Sequence, residues 1–348
     1  MGVASLPTVT RAAVWHAPDD LRLEEIAVHM PGPGELLVRI RACGLCASEA
    51  MAWYMARKAP VALGHEPVAE VVAAGEGVGE FQPGSRVFVH HHAPCFACAR
   101  CRRGNFVHCK TWRATKLVPG GLSEYAVVPA HVVRFDTRAI PGWMGDDEAT
   151  FVEPLACVVK AQRRAHLCAG DRVLIIGAGV MGLLHVLLAR RRGAAVIIAD
   201  RVPSRLRRAE ALGADAVDVT KVDLAPFVRG LTEGDGADVV VVGPGNPEAI
   251  DAGYRSAAPG GTVVLFTPAP PSDVWPLPVH DAYFREISIV PSYSCGPDDT
   301  AEALALLESG MAVEVGDLIT HRLNLDQAAY GYRLVREATD ALKVVVHP

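Results

Sequence analysis

The sequence predicts an α/β protein of two domains, a β-barrel-like domain joined to a doubly wound parallel sheet. Three observations predict it. The first half is a series of short β-rich runs broken by Gly/Pro turns. The pattern changes near Pro154, and from Arg172 onward apolar strands alternate with helical segments, which is the signature of a parallel sheet with crossover helices. Finally, 348 residues are enough for two ordinary cores.

In order along the chain, runs 12–15, 35–42, 68–74, 86–90 and 123–129 read as strands. Pro31-Gly32-Pro33-Gly34, residues 75–79, Pro83-Gly84 and Pro119-Gly120-Gly121 punctuate them. Short strands at this spacing close into a barrel-like domain. Runs 173–176, 195–199, 239–242 and 262–266 are the parallel strands of the second domain. After residue 297 follow an amphipathic helix over 300–309, the run 318–323, a helix capped by Asp326 and a last strand from Lys343 to His347. No repeat, low-complexity run or long linker interrupts them.

Composition narrows the function. Half the residues are apolar and 21% are charged, a globular balance. A net charge of -5 argues against a general binder of nucleic acid or anionic membranes. The most apolar stretch, residues 180–189, is about half of a bilayer span and contains His185. No basic region followed by an apolar run opens the chain, and Leu6 stands where a myristoylation signal needs Ser or Thr. A soluble, cytoplasmic protein is expected. Nine cysteines would suggest a disulfide scaffold only in a short secreted chain. Cys43, Cys157, Cys168 and Cys295 read as small apolar residues.

Cys95, Cys98, Cys101 and Cys109 are spaced C-x2-C-x2-C-x7-C in one loop. Four thiolates at that spacing wrap one tetrahedral zinc, and with every position filled the ion is structural. A zinc-ribbon nucleic-acid binder would use the same tetrad, but the acidic balance and the single tetrad speak against one.

Gly177-Ala-Gly179-Val180-Met181-Gly182 follows an apolar strand and opens a helix, and a second strand ends at Asp200. Strand, turn, helix and strand in that order make a dinucleotide site of the Rossmann type. The first glycine permits the tight turn, the second lets backbone approach the pyrophosphate, and the third lets helix pack on strand. The N–H groups at the helix start face the phosphates. Asp200 suits the adenosine ribose hydroxyls and repels a 2′-phosphate, which favours NAD over NADP, although Arg201 is a potential phosphate partner. Arg205 either lies along the ribose or is a solvated helix residue.

Cys46, His65 and a carboxylate are suitable ligands for a second zinc, and three protein ligands leave one position open for substrate. Glu66, beside His65, and Glu153, in Phe151-Val-Glu153-Pro154-Leu155, compete for the third place. Cys46 with Ser48, Gly64-His65-Glu66, the four-cysteine loop, the glycine turn, Gly120-Gly121-Leu-Ser-Glu-Tyr125, Glu153-Pro154-Leu155, Pro259-Gly260-Gly261, Ile319-Thr320-His321 and Lys343-Val-Val-Val recur in one order. Nearly end to end, the chain resembles the zinc-dependent medium-chain dehydrogenase/reductase family.

The resemblance implies a GroES-like catalytic domain over residues 1–155, completed by 298–348, with a Rossmann NAD-binding domain over 156–297 inserted and the active site in the cleft. It implies Cys46 and His65 as ligands, Glu153 as a direct or water-mediated ligand, Glu66 as a nearby exchanging carboxylate, and Ser48 as the hydroxyl that shuttles the alcohol proton. Two zinc ions per chain and a homodimer or homotetramer also follow from it. Two departures stand out. Glu49 replaces the usual aspartate, so the bond orienting the ligand histidine is expected to be rearranged. Met51 replaces a relay histidine found in some relatives, so the proton leaves by another route, with Glu153 and water as the candidate.

The Glu-Pro-Leu motif resembles polyol, sugar-alcohol and threonine dehydrogenases. The expected activity is hydride transfer between a secondary alcohol, or the corresponding carbonyl, and NAD. A threonine-type hydroxy-amino-acid dehydrogenase is the alternative, and a nucleotide-binding scaffold without catalysis is the non-enzyme one. The loop over residues 51–58 is expected to border the pocket; Trp53 and Tyr54 either flank a ring or pack as loop anchors, Arg57 and Lys58 read as a solvated basic pair ahead of a carboxylate or phosphate site, and His90-His91-His92 reads as structural.

Overall fold

The structure, a computed structural model, describes residues 7–348; Leu6 and the first part of the leader reading lie outside them. The chain divides into two compact units. One runs to Ala156 and resumes over Cys295–Pro348, and the other is Cys157–Ser294.

In the first unit a sheet runs in the order Ile319–Asn324, Lys343–His347, Leu36–Gly44, Glu66–Ala74, Arg86–Val89, Thr137–Ala139. Strand Leu36–Gly44 is its hub. Glu66–Ala74 pairs antiparallel along its length, Tyr125–Val128 pairs with its first half, and Lys343–His347 pairs with its end. Alternation sets the faces: Leu36, Val38 and Ile40 are buried while Arg39 and Arg41 are exposed. A smaller sheet, Asp20–Ala27, Val9–Ala17 and Val61–Ala62, lies beside it.

The second unit is a six-stranded parallel sheet in the order Asp215–Asp218, Ala195–Asp200, Arg172–Ile176, Ala237–Val242, Ala257–Leu265, Ser288–Pro291. Helices connect the strands. Val239 to Val242 are all buried, as expected of a parallel strand covered on both faces. Among the described residues no helix is long and apolar enough to cross a membrane.

Several local expectations are corrected. Asp326 does not cap the helix. Gln327 takes that place in the 3-10 turn ahead of helix Ala328–Glu337, accepting the Asn324 N–H on Oε1 at 3.1 Å. Asp326 instead pairs with Arg11 at 3.1 Å. The helix expected over 300–309 begins earlier, at Pro297, because proline suits a first turn whose missing N–H costs nothing. Helix Val152–Arg164 was not legible. It starts at the Phe151-Val-Glu-Pro motif, so Glu153 sits in its first turn.

The closing strand is clamped by its last histidine. His347 Nε2 lies 3.0 Å from Asp147 Oδ1, and its Nδ1 lies 3.1 Å from the Arg41 carbonyl. Asp147 raises the His347 pKa against partial burial. His347 in turn lowers that of Asp147, with Arg322 assisting against burial. The histidine's contribution to stability is therefore complete below its unfolded pKa of about 6.5 and lost as pH rises through the raised native value. The aspartate's contribution is present above its unfolded pKa of about 4 and lost on acidification. His347→Gln should lower thermal stability at about pH 5.5 by about 0.5 kcal/mol, the scale of a half-exposed pair, and by much less at about pH 9. Thermal melts at the two pH values check this; equal losses would contradict it.

Candidate functional site

Strand register builds the metal site. Gly44 pairs with Glu66 on one side and with Val345 on the other. Cys46, two residues past the first strand's end, thus reaches the same end of the sheet as His65, which immediately precedes the second strand. Lys343 arrives on the third strand and its Nζ pairs with Glu66 Oε2, both side chains buried. A Cβ at Gly44 would meet Glu66 Oε2 and Lys343 Nζ, so a side chain there would force the buried ion pair to shift.

Cys46 Sγ, a ring nitrogen of His65 and a carboxylate oxygen of Glu66 lie within 4.8 Å of one another. His65 Nδ1 is 3.0 Å from Glu49 Oε1, which also accepts the Gly64 N–H at 3.0 Å. Tyr332 O–H donates to Glu49 Oε2. The bond that orients the histidine is therefore kept despite the aspartate-to-glutamate departure, with Tyr332 holding the second oxygen. With Nδ1 donating to a carboxylate, Nε2 is the nitrogen left for a metal. Ser48 Oγ–H donates to Cys46 Sγ at 3.3 Å.

The electrostatics favour a cation. Burial lowers the His65 pKa, but Glu49 and the Cys46 sulfur outweigh it and hold it well above its ordinary value. Surroundings that retain positive charge on an imidazole also suit a divalent ion against its Nε2. Burial raises the Glu66 carboxyl, as does the charge of Glu153, while Lys343 and His65 pull it down. A thiolate, an imidazole and a carboxylate form a donor set that zinc accepts.

Glu153 is felt electrostatically at Glu66, but its carboxylate groups with His90 and Cys295, apart from the Cys46–His65–Glu66 set. The sequence reading missed three residues at the site. Lys343 and Tyr332 come from the far end of the chain. The third is His91, whose ring centroid is 5.1 Å from that of His65 and whose buried Nδ1 has no hydrogen-bond partner among the described residues. Burial and the neighbouring His92 and His90 lower its pKa well below the ordinary value, keeping it neutral. A charged residue opening an apolar strand was the one available signal for Lys343. Lys58 lies over the Tyr54 ring at 3.7 Å, so the two residues engage each other.

The four-cysteine loop closes on itself, with the sulfurs of Cys95, Cys98, Cys101 and Cys109 within 4.8 Å of one another. Phe106, Val107 and Trp112 pack against it. Burial raises the Cys109 thiol, yet backbone N–H groups of Cys95, Trp112 and Thr111 bring it to about 6. Such a thiol is poised to ligate as thiolate.

In the second unit Gly177 has φ +99°, the left-handed conformation its turn requires. A Cβ on Gly182 would overlap the Gly177 carbonyl, so only glycine lets the helix pack this closely. Gly179 caps helix Val180–Arg191, whose opening N–H groups at Val180, Met181 and Gly182 have no partner within the helix. Asp200 Oδ2 accepts the Ala178 N–H at 2.6 Å, and Oδ1 accepts those of Arg201 and Val202 at 2.7 and 2.8 Å. The carboxylate is fixed at the strand end against the glycine turn. Arg201 is exposed, whereas Arg205 approaches the turn, its Nη1 3.9 Å from where a Cβ on Gly179 would lie.

Residues 32–137 match the alcohol dehydrogenase GroES-like domain family and residues 180–309 the zinc-binding dehydrogenase family. The chain is 30% identical to erythritol/L-threitol dehydrogenase of Mycolicibacterium smegmatis over 99% of both proteins. It belongs to the zinc-dependent medium-chain dehydrogenase family. This dehydrogenase is also 36% identical to L-threonine 3-dehydrogenase of Pyrococcus abyssi over 253 residues, 70% of this chain and 71% of that one. The structure of a zinc-binding dehydrogenase from Sinorhizobium meliloti bound to NADP superposes with a TM-score of 0.87 at 30% identity, covering 98% of this chain and all of the other. The dehydrogenase is an oxidoreductase that uses zinc and a nicotinamide dinucleotide.

Removing the Glu49 carboxylate should weaken zinc at Cys46 and His65 by about 10–100-fold, the usual effect of losing a partner that orients a ligand. Chelator competition on Glu49→Gln checks this; wild-type affinity would contradict it.

Proposed function

We propose that this dehydrogenase oxidises a secondary alcohol of a polyol, sugar or related hydroxylated compound, with NAD as acceptor, and runs the reverse reduction. The observation that carries the reading is the cluster of Cys46, His65 and Glu66, with Glu49 fixing the histidine and Ser48 beside the thiolate. Zinc bound there would supply Lewis acidity that lowers the pKa of the substrate hydroxyl, and a bound nicotinamide would supply the hydride acceptor. Cys46 and His65, with the Glu66 carboxylate beside them, would hold the ion. Glu49 and Tyr332 fix the imidazole's orientation. Ser48 receives the hydroxyl proton as its own passes toward water.

The unit Cys157–Ser294 holds the dinucleotide. The fixed carboxylate of Asp200 supports NAD over NADP, because it accepts ribose hydroxyls and repels a phosphate. A polyol substrate is supported by full-length likeness to the erythritol/L-threitol enzyme. A hydroxy-amino acid is the second reading, favoured by the threonine dehydrogenase likeness over the shorter span. The arrangement of Cys46, Ser48 and His65 speaks against an inactive scaffold. The enzyme is read as cytoplasmic and as a homodimer or homotetramer. The exposed side chains of Val274, Val279, Tyr283 and Phe284, close to edge strand Ser288–Pro291, support assembly.

Cys46→Ala should abolish turnover of every substrate while leaving NAD binding intact, as read by NADH absorbance and by titration calorimetry. Retained activity would remove the metal assignment. In the same assay polyols should outperform hydroxy-amino acids; the reverse order favours the second reading. The kcat/KM with NAD should exceed that with NADP by at least about tenfold, or about 1.4 kcal/mol. Comparable values would overturn the cofactor preference.

A further inference from the structure

A third donor set, with all its residues buried, lies in the first unit and shares no residue with either zinc cluster. Val89 pairs with Thr137, so His90 falls opposite Asp136, and its N–H donates to the Asp136 carbonyl at 3.1 Å. His90 Nδ1 is 2.7 Å from Asp136 Oδ2, and neither side chain is exposed. Asp136 is itself fixed, accepting the Thr300 hydroxyl on Oδ1 with the Arg138 guanidinium 3.6 Å away. A carboxylate at Nδ1 makes that nitrogen the proton carrier and leaves the Nε2 lone pair on the opposite side of the ring. This is the bond that metal-binding histidines ordinarily make with their second nitrogen.

What Nε2 faces is the sulfur of Cys295, at 3.6 Å, and Cys295 Sγ is in turn 3.9 Å from Glu153 Oε1. The three donor atoms lie within 4.8 Å of one another and all three residues are buried. Zinc bonds of about 2.0–2.3 Å at tetrahedral angles put nitrogen and sulfur ligands about 3.6 Å apart. The spacing of His90 and Cys295 therefore suits a shared ion without rearrangement. A thiolate and a carboxylate carry two negative charges, which are costly to bury alone and are balanced by one divalent cation.

We propose that His90 Nε2, Cys295 Sγ and Glu153 Oε1 form a third metal site, selective for zinc-class ions through its thiolate and imidazole. The site ties the start of the returning segment Cys295–Pro348 to the end of strand Arg86–Val89 and to the first turn of helix Val152–Arg164. Glu153 reaches it through Oε1. Deprotonation of Cys295 on loading releases its proton to solvent. A metal-free alternative is Cys295 S–H donating to His90, and metal content separates the two.

The experiment is zinc analysis per chain of the full-length protein, grown with zinc and dialysed against metal-free buffer, for wild type, Cys295→Ser, Cys46→Ala and the double variant. The expected contents are three, two, two and one. The Cys46→Ala result tests the functional site alone, so failure of either assignment is distinguishable from failure of the other. A zinc content that Cys295→Ser leaves unchanged in both backgrounds overturns the third site. If Cys295→Ser does not fold by circular dichroism, zinc-edge anomalous diffraction from wild-type crystals decides. A peak between Cys295 and His90 supports the site, and no peak there overturns it.

Discussion

The hydrogen bond between His65 Nδ1 and Glu49 is the interaction on which the candidate site depends. An imidazole has two nitrogens on opposite sides of its ring, and occupying one with a carboxylate determines both the tautomer and the direction of the other. Glu49 can do this because three elements hold it: its own short 3-10 turn Ala47–Ala50, the Gly64 N–H, and Tyr332 from helix Ala328–Glu337. The carboxy-terminal helix is thus part of the metal site through a residue that touches no metal. Burial alone would raise the Glu49 carboxyl, but His65, Tyr332 and Gly64 hold it below its ordinary value. It stays anionic, as its task requires.

Charge balance is the second constraint. Glu66 and Lys343 form a buried pair one residue from the ligand histidine. Each would be unfavourable there alone, and removing one would strand the other. The pair packs directly against Gly44, and a side chain at that position would force both charged groups to shift. Backbone register, a glycine and an ion pair therefore set how much negative charge remains for a cation near Cys46 and His65. In the second unit the same economy appears in smaller form. Asp200 places both oxygens on backbone N–H groups of the glycine turn and of its own loop, which fixes the position of its carboxylate.

What was legible in the sequence is what lies close along the chain. The four-cysteine loop and the glycine turn announce themselves because their chemistry is contained in short segments, and the alternation of apolar strands with helices gives the α/β class. Cys46 and His65 were legible because each stands in a short local motif. Lys343 was not, because its partner Glu66 is 277 residues away and only strand register joins them. Tyr332 and His91 were missed for related reasons. A tyrosine on an amphipathic helix and a histidine in a run of three look structural until their neighbours are known. Asp326 failed as a cap because the helix begins one residue later, after Gln327, whose side chain takes the Asn324 N–H.

The most direct test of the account is the visible absorption spectrum of the cobalt-substituted enzyme with NAD, recorded before and after adding a polyol. Cobalt held by Cys46 and His65 with an open position should give thiolate and d–d bands that shift when the alcohol enters, and His65→Ala should lose the shifting component. A spectrum that polyol leaves unchanged in an enzyme that still turns over would contradict the claim that this cluster activates the substrate.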